Sequence, residues 1–201
     1  MDEKKLKEAI STLRKDNKKK FTQSVDLIIN LKNLDLKKPE HQVEFYLQLP
    51  KNKGKKSVVC ALVAGELADQ AKEAMDSSVM QKDFEIYQKD KKKTKKLASS
   101  MDFFVAQATI MPKVAAAFGR VLGPKGKMPN PKAGCIVPPN ANLSQVYEKL
   151  QKTVKLSAKK APLMQTICGN EDSSDEDLIE NIKYIYNNVE HHLPQGINNI
   201  K

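Results

Sequence analysis

The stretch VVCALVA, Val58–Ala64, is apolar at every position. A strand that meets solvent on one face alternates apolar and polar residues, so an unbroken run marks a strand covered on both faces, as in a parallel sheet. Fifteen residues earlier Val43, Phe45, Leu47 and Leu49 alternate with Glu44, Tyr46 and Gln48. That is the pattern of an antiparallel sheet with one face in water. Two kinds of sheet in one chain of 201 residues predict two domains.

Working outward, Leu67, Ala71 and Met75 continue from Val58–Ala64 at helical spacing, and Val79–Met80 begins a short strand. KDKKKTKKLASS (89–100) reads as a basic helix, MDFFVA (101–106) as a buried strand and Ala108–Phe118 as a helix. Strands alternating with helices predict a small α/β domain. On the N-terminal side, Leu6, Ala9, Ile10 and Leu13 mark a helix, and Ser24–Leu31 a strand. Beyond Pro138 and Pro139, Asn142 can cap a helix carrying Leu143, Val146, Tyr147 and Leu150, and Leu163–Cys168 reads as a strand. Ser173 and Glu176 form a capping box before a helix carrying Leu178, Ile179, Ile182, Ile185, Tyr186 and Val189. The fold expected is a discontinuous α+β domain, residues 1–56 plus 140–201, with an antiparallel sheet and helices. Inserted in it is an α/β Rossmann-like three-layer domain, residues 57–139. Gly54, Pro138 and Pro139 would sit at the two crossings and make a hinge.

Charge narrows the function. Lys and Arg number 35 against 24 Asp and Glu, a net charge of +11. Such an excess repels itself and suits an anionic partner. No run approaches the roughly 20 apolar residues of a membrane span, and MDEKKLKEAI lacks the apolar core of a signal peptide. Cys60, Cys135 and Cys168 are odd in number and far apart, which fits neither a disulfide frame nor a zinc site. No catalytic carboxylate pair, nucleophile set, cofactor motif or metal cluster stands out.

Between Leu122 and Pro131 the chain reads LGPKGKMPNP, a loop shaped by two glycines and three prolines and carrying Lys125 and Lys127. It fails as a nucleotide loop. The position five before Gly126 is Val121, and Met128 stands where Ser or Thr would hold magnesium. The lysine runs Lys18–Lys20, Lys51–Lys56, Lys89–Lys96 and Lys152–Lys160 together point to an extended polyanion. The best single candidate is KKKFTQS: Lys20, Phe21, Thr22, Gln23 and Ser24 offer charge for phosphate, amide and hydroxyl groups for ribose and base edges, and a ring to stack. Phe21 also fits a plain core position of the following strand.

LGPKGKMPNPKAG resembles the signature loop of the L-one family of large-subunit ribosomal proteins, with Leu122, Gly123, Pro124, Lys125, Gly126, Lys127, Met128 and Pro129 as its heart. KKKFTQSVDLIINLK, MDFFVAQATIMPKV and CGNEDSSDEDLIENI resemble further segments of the family, the archaeal members in particular. The resemblance implies an inserted-domain architecture and no catalysis, cofactor or metal. It implies binding to the large-subunit ribosomal RNA of the mobile stalk, beside the exit-site tRNA and other ribosomal components. It also implies help in releasing deacylated tRNA, repression of translation through the protein's own messenger RNA, a cytoplasmic, ribosome-bound location and a monomer when free. Carried over by residue, Lys20, Phe21, Gln23 and Ser24 fall on the family's main RNA-contact segment, and Gly169, Asn170 and Glu171 on a neighbouring loop. One departure is expected: the family ends in a strand with a Thr-Met-Gly turn that contacts RNA, and GINNIK stands where that strand would begin. The competing readings are an enzyme with its site between the domains, and a free regulator acting on messenger RNA alone.

Overall fold

A computed structural model describes residues 3–16 and 19–201. Lys18, the first residue of the N-terminal lysine run, lies outside the described residues. In chain order the strands are β1 (Ser24–Asn30), β2 (Val43–Gln48), β3 (Val59–Val63), β4 (Ser77–Met80), β5 (Phe103–Gln107), β6 (Ile136–Val137), β7 (Thr153–Ala158) and β8 (Leu163–Asn170). The α-helices are α1 (Glu3–Asp16), α2 (Ala68–Ala74), α3 (Phe84–Lys89), α4 (Lys91–Ser100), α5 (Met111–Leu122), α6 (Leu143–Lys152) and α7 (Asp175–His192). The chain divides into two compact units: the stretch up to Lys56 with Lys152–Lys201, and Ser57–Gln151.

In the first unit the pairing is antiparallel. β1 runs against β8 from Ser24 opposite Asn170 to Asn30 opposite Leu163. β2 runs against β7 from Val43 opposite Ala158 to Gln48 opposite Thr153. The alternation read in β2 holds: Val43, Phe45 and Leu47 are buried, and Glu44, Tyr46 and Gln48 are less so. Those inner side chains join Leu156 of β7, Met164 of β8, Ile10 of α1 and the α7 residues Leu178, Ile182, Ile185 and Val189 in one core. The helices thus cover one face of the strands and leave the other to solvent, which the 2.0 and 3.6 residue periods dictate.

The second unit is built around a parallel sheet in the order β4-β3-β5-β6. Every residue of β3 is buried, and successive side chains go to opposite faces. Val59, Ala61 and Val63 pack with Ala71 of α2 and Leu143 and Leu150 of α6. Cys60 and Leu62 pack with Phe84 of α3, Ala98 of α4, and Val114, Phe118 and Leu122 of α5.

Several boundaries differ from the sequence reading. The helix after Asn142 forms as expected, with Asn142 Oδ1 accepting from the amides of Ser144 (3.0 Å) and Gln145 (3.3 Å). However, its apolar side packs in the second unit, so that unit runs to Gln151 and does not end at residue 139. Pro138 and Pro139 therefore lie within it, away from the second crossing. Periodicity shows that a helix has an apolar face but not which sheet the face covers. Strand β7 was hidden inside the Lys152–Lys160 run, because its polar positions include Lys155. Helix α3 was too short to show a period. The capping residue of α7 is Ser174, which accepts from the Asp177 amide at 3.1 Å; Ser173 and Glu176 do not form the expected box.

Leu150→Ala should cost about 2–5 kcal/mol, the usual range for emptying a fully buried leucine site. Hydrogen exchange should show the loss of protection in β3 and β5. Loss confined to β1 and β8 would mean that α6 belongs to the first unit.

Candidate RNA interface

Residues 20–24 and 169–173 are brought together by the upper end of the β1–β8 ladder. Ser24 lies opposite Asn170. Just beyond it the Glu171 amide donates to the Gln23 carbonyl at 2.8 Å, and the Gln23 amide donates to Glu171 Oε2 at 3.4 Å. Thr22 Oγ1 donates to Asp172 Oδ2 at 3.2 Å. The two expected segments are thus neighbours. The ladder slips between Val25 and Asp26, where Cys168 is the extra residue of a bulge and its thiol donates to the Val25 carbonyl at 3.1 Å.

Phe21 is 69% exposed, which removes its reading as a core residue. Lys20, Thr22 and Ser24 are exposed as well, and Gln23 is half-buried. An aromatic ring held in water beside hydrogen-bonding groups can stack on a splayed base. The cations are not alone here: Glu171 and Asp172 add acceptors able to receive a ribose 2′-hydroxyl or a base amino group. Down the same strands, Asp26 accepts from Gln165 Nε2 at 3.0 Å beside exposed Ile28 and Leu163.

Among the groups that support this surface, Arg14 and Asn181 were not visible as site residues in the sequence. Arg14 of α1 reaches into the second segment, with one terminal nitrogen donating to the Glu171 carbonyl at 2.9 Å and the other to the Ser173 carbonyl and to Asp175 Oδ1, 2.9 Å away. Its signal was compositional: it is one of two arginines among 35 basic residues, and a planar fork serves several acceptors where an ammonium cannot. Asn170 is tied by Ser173 Oγ, which donates to its Oδ1 at 2.8 Å, while its own Nδ2 donates to the Gly54 carbonyl at 3.2 Å. Buried Asn181 donates to the Cys168 carbonyl at 2.8 Å. A Cβ at Gly169 would stand 2.3 Å from Leu178 Cδ2, so a larger residue there must displace that buried leucine side chain. Gly54, expected at a hinge, has φ +77° and lies so close that its Cβ would stand 2.7 Å from the Asn170 amide nitrogen.

The signature loop does different work. Leu122 and Pro129 are buried and Met128 packs against the core of the second unit. Lys127 Nζ donates to the carbonyls of Ala98 (3.1 Å) and Met101, which end α4. Lys125 Nζ donates to Ser99 Oγ at 2.6 Å. Both lysines are engaged within their own unit.

Two other lysine runs are partly committed in the same way. Lys51 pairs with Asp177 (3.3 Å) and Glu180 (3.5 Å), and buried Lys53 donates to the Thr153 carbonyl at 3.1 Å. Glu44 receives Lys155 at 2.8 Å and also Lys159. Burial alone would raise the Glu44 carboxyl, but those two ammonium groups outweigh it and hold the pKa below its ordinary 4.5. The cysteines are inert by burial, which pushes Cys60 and Cys168 up to about 12 and Cys135 to about 11. Among the described residues no group of three His, Cys, Asp or Glu could hold a metal, and no helix is long and apolar enough to cross a membrane.

The polar, ring-bearing face thus lies on a discontinuous antiparallel unit, and a parallel α/β unit is inserted in that unit's sequence. Residues 13–201 match the family described as the Ribosomal protein L1p/L10e family. The chain is 44% identical over 196 residues to the large ribosomal subunit protein uL1 of Methanothermococcus thermolithotrophicus, covering 98% of this chain and 88% of that one. It is 43% identical to the protein of the same name from Methanobrevibacter smithii, covering 96% and 90%. The counterpart in Methanocaldococcus jannaschii is 37% identical, covering 100% and 90%. The chain belongs to the L1 family of ribosomal proteins, which are structural and not enzymes.

Two predictions follow from these contacts. Gly54→Ala should lower stability by more than about 1 kcal/mol, because alanine resists positive φ and meets Asn170; thermal melting checks the cost, and faster amide exchange at 169–173 checks its location. Glu44→Gln should lower the urea midpoint at neutral pH. A carboxyl with a depressed folded pKa stabilises above its unfolded value and loses that contribution as pH falls through the folded one. The gap between variant and wild type should therefore close below pH 4.5, and a gap that stayed constant would show that the ion pairs carry none of it.

Proposed function

We propose that this protein is a constituent of the large ribosomal subunit that binds its ribosomal RNA through Lys20, Phe21, Thr22, Gln23 and Ser24 together with Gly169, Asn170 and Glu171. The single observation that carries the reading is the Phe21 ring, exposed at 69% beside a row of hydrogen-bonding groups from two strand ends. Membership of the L1 family supports it. The RNA is gripped by shape: lysines take phosphate, while Thr22, Gln23, Ser24 and Glu171 meet ribose and base edges exposed at a bend or an internal loop.

In the assembled subunit the protein forms the mobile stalk beside the exit-site tRNA, touches other ribosomal components there and assists release of deacylated tRNA. The same face, presented with a similar fold in its own messenger RNA, represses translation. The protein acts in the cytoplasm, ribosome-bound, and is a monomer when free. Sedimentation with large subunits separates this role from that of a regulator acting on messenger RNA alone.

Phe21→Ala and Ser24→Ala should each weaken binding to large-subunit RNA while the circular dichroism spectrum stays as in the wild type. Loss of the ring should cost about 1–3 kcal/mol, the worth of stacking one base on an aromatic side chain. Filter binding at fixed salt measures it. Unchanged affinity in both variants would remove the assignment of this face.

A further inference from the structure

The run Lys89–Lys96 differs from the runs Lys51–Lys56 and Lys152–Lys160, whose lysines are partly paired. No ion pair joins Lys89, Lys91, Lys92, Lys93, Lys95 or Lys96 to a carboxylate among the described residues. Five of these lie on α4, and all five are exposed. The helix is charged against its own stability. Its first turn holds Lys91, Lys92 and Lys93 and no acidic residue, at the end where the helix dipole is positive. Lys91 and Lys95, and Lys92 and Lys96, are like charges one turn apart, which destabilises a helix. What holds α4 is its inner side, with Thr94 and Ala98 buried, and its cap, with Asp90 Oδ1 accepting from the amides of Lys92 (2.9 Å) and Lys93 (3.0 Å).

A helix kept in this state is suited to a partner that neutralises it. An interfacial membrane helix needs an open apolar side, and the apolar side of α4 is packed in the core. Stacking on bases needs an open ring, and the nearby ring, Tyr87, lies half-buried under Lys93 Nζ at 4.9 Å. The basic surface instead extends onto α5, where Lys91 and Arg120 line a shared groove of about 110 Å³ with Tyr87 and Gln88. A row of exposed lysines on one helix face, with no open ring beside it, has the chemistry of phosphate contact.

We infer that the exposed face of α4 is a second RNA-contact surface, carried by the α/β unit, which grips the phosphates of helical RNA without regard to base sequence. It goes beyond the proposed function, since it uses none of the residues at the β1–β8 end.

The test compares the full chain with its Lys92→Gln, Lys93→Gln, Lys95→Gln, Lys96→Gln quadruple variant. The probe is an RNA duplex of about 16 base pairs and unrelated sequence, which spans two minor grooves. Each neutralised phosphate contributes about 0.7–0.9 to the slope of log affinity against log salt, so the variant should lose about 3 from that slope. Its melting temperature should hold or rise, because the removed charges repel one another. An unchanged slope would overturn the inference, and so would a fall in melting temperature that marked the lysines as structural. Poly-glutamate competing as well as the duplex with the RNA at equal ionic strength would also overturn it, in favour of an acidic protein partner. Phe21→Ala should leave the duplex slope unaltered, so failure of the ring site on ribosomal RNA and failure of this face are read separately.

Discussion

The β1–β8 ladder is the constraint on which the candidate interface depends. It pairs Ser24 with Asn170, residues separated by the whole inserted unit, and makes one surface from two chain segments that carry little alone. Neither segment is held by the ladder only. Gly169 lets the strand end close on Leu178 of α7, Asn170 is fixed by Ser173 and Gly54, and Arg14 ties α1 to the carbonyls of Glu171 and Ser173. The candidate contact groups can therefore stay in water while the backbone beneath them is tied at several points. Such order would lower the entropy lost if RNA binds at this face, as proposed.

The two units solve burial in different ways, and their surfaces differ accordingly. The antiparallel unit covers one strand face with α1 and α7 and leaves Ser24, Asp26 and Ile28 open on the other. A half-open sheet offers a broad polar face with a few apolar contacts, which suits irregular RNA. The parallel unit buries both faces of its sheet, so the outer sides of its helices and its loops remain to meet a partner. On α4 that outer side is lysine.

Much of this was legible because burial leaves a period in the sequence. The unbroken run Val58–Ala64 and the alternation from Val43 to Leu49 separate the two sheet types. What escaped did so for physical reasons. In β7 the lysine at an outer position made TVKLSA look like part of a charge run, although Val154, Leu156 and Ala158 face the core. The covering partner of α6 depends on tertiary packing that no local pattern encodes. At the candidate interface, Phe21 was ambiguous because an aromatic ring suits both core and contact, and its exposure removes the core reading. Arg14 and the tie between Gly54 and Asn170 stayed hidden because those bonds join residues more than a hundred positions apart.

The central claim is that residues 20–24 and 169–171 form one RNA-binding surface. Ultraviolet crosslinking of the intact protein to large-subunit RNA, with mass spectrometric mapping of the attached nucleotides, tests it most directly. Crosslinks are expected on the peptide bearing Phe21 and on the peptide bearing Asn170 and Glu171 in the same complex. Crosslinks confined to other parts of the chain, with both of these peptides bare, would contradict it.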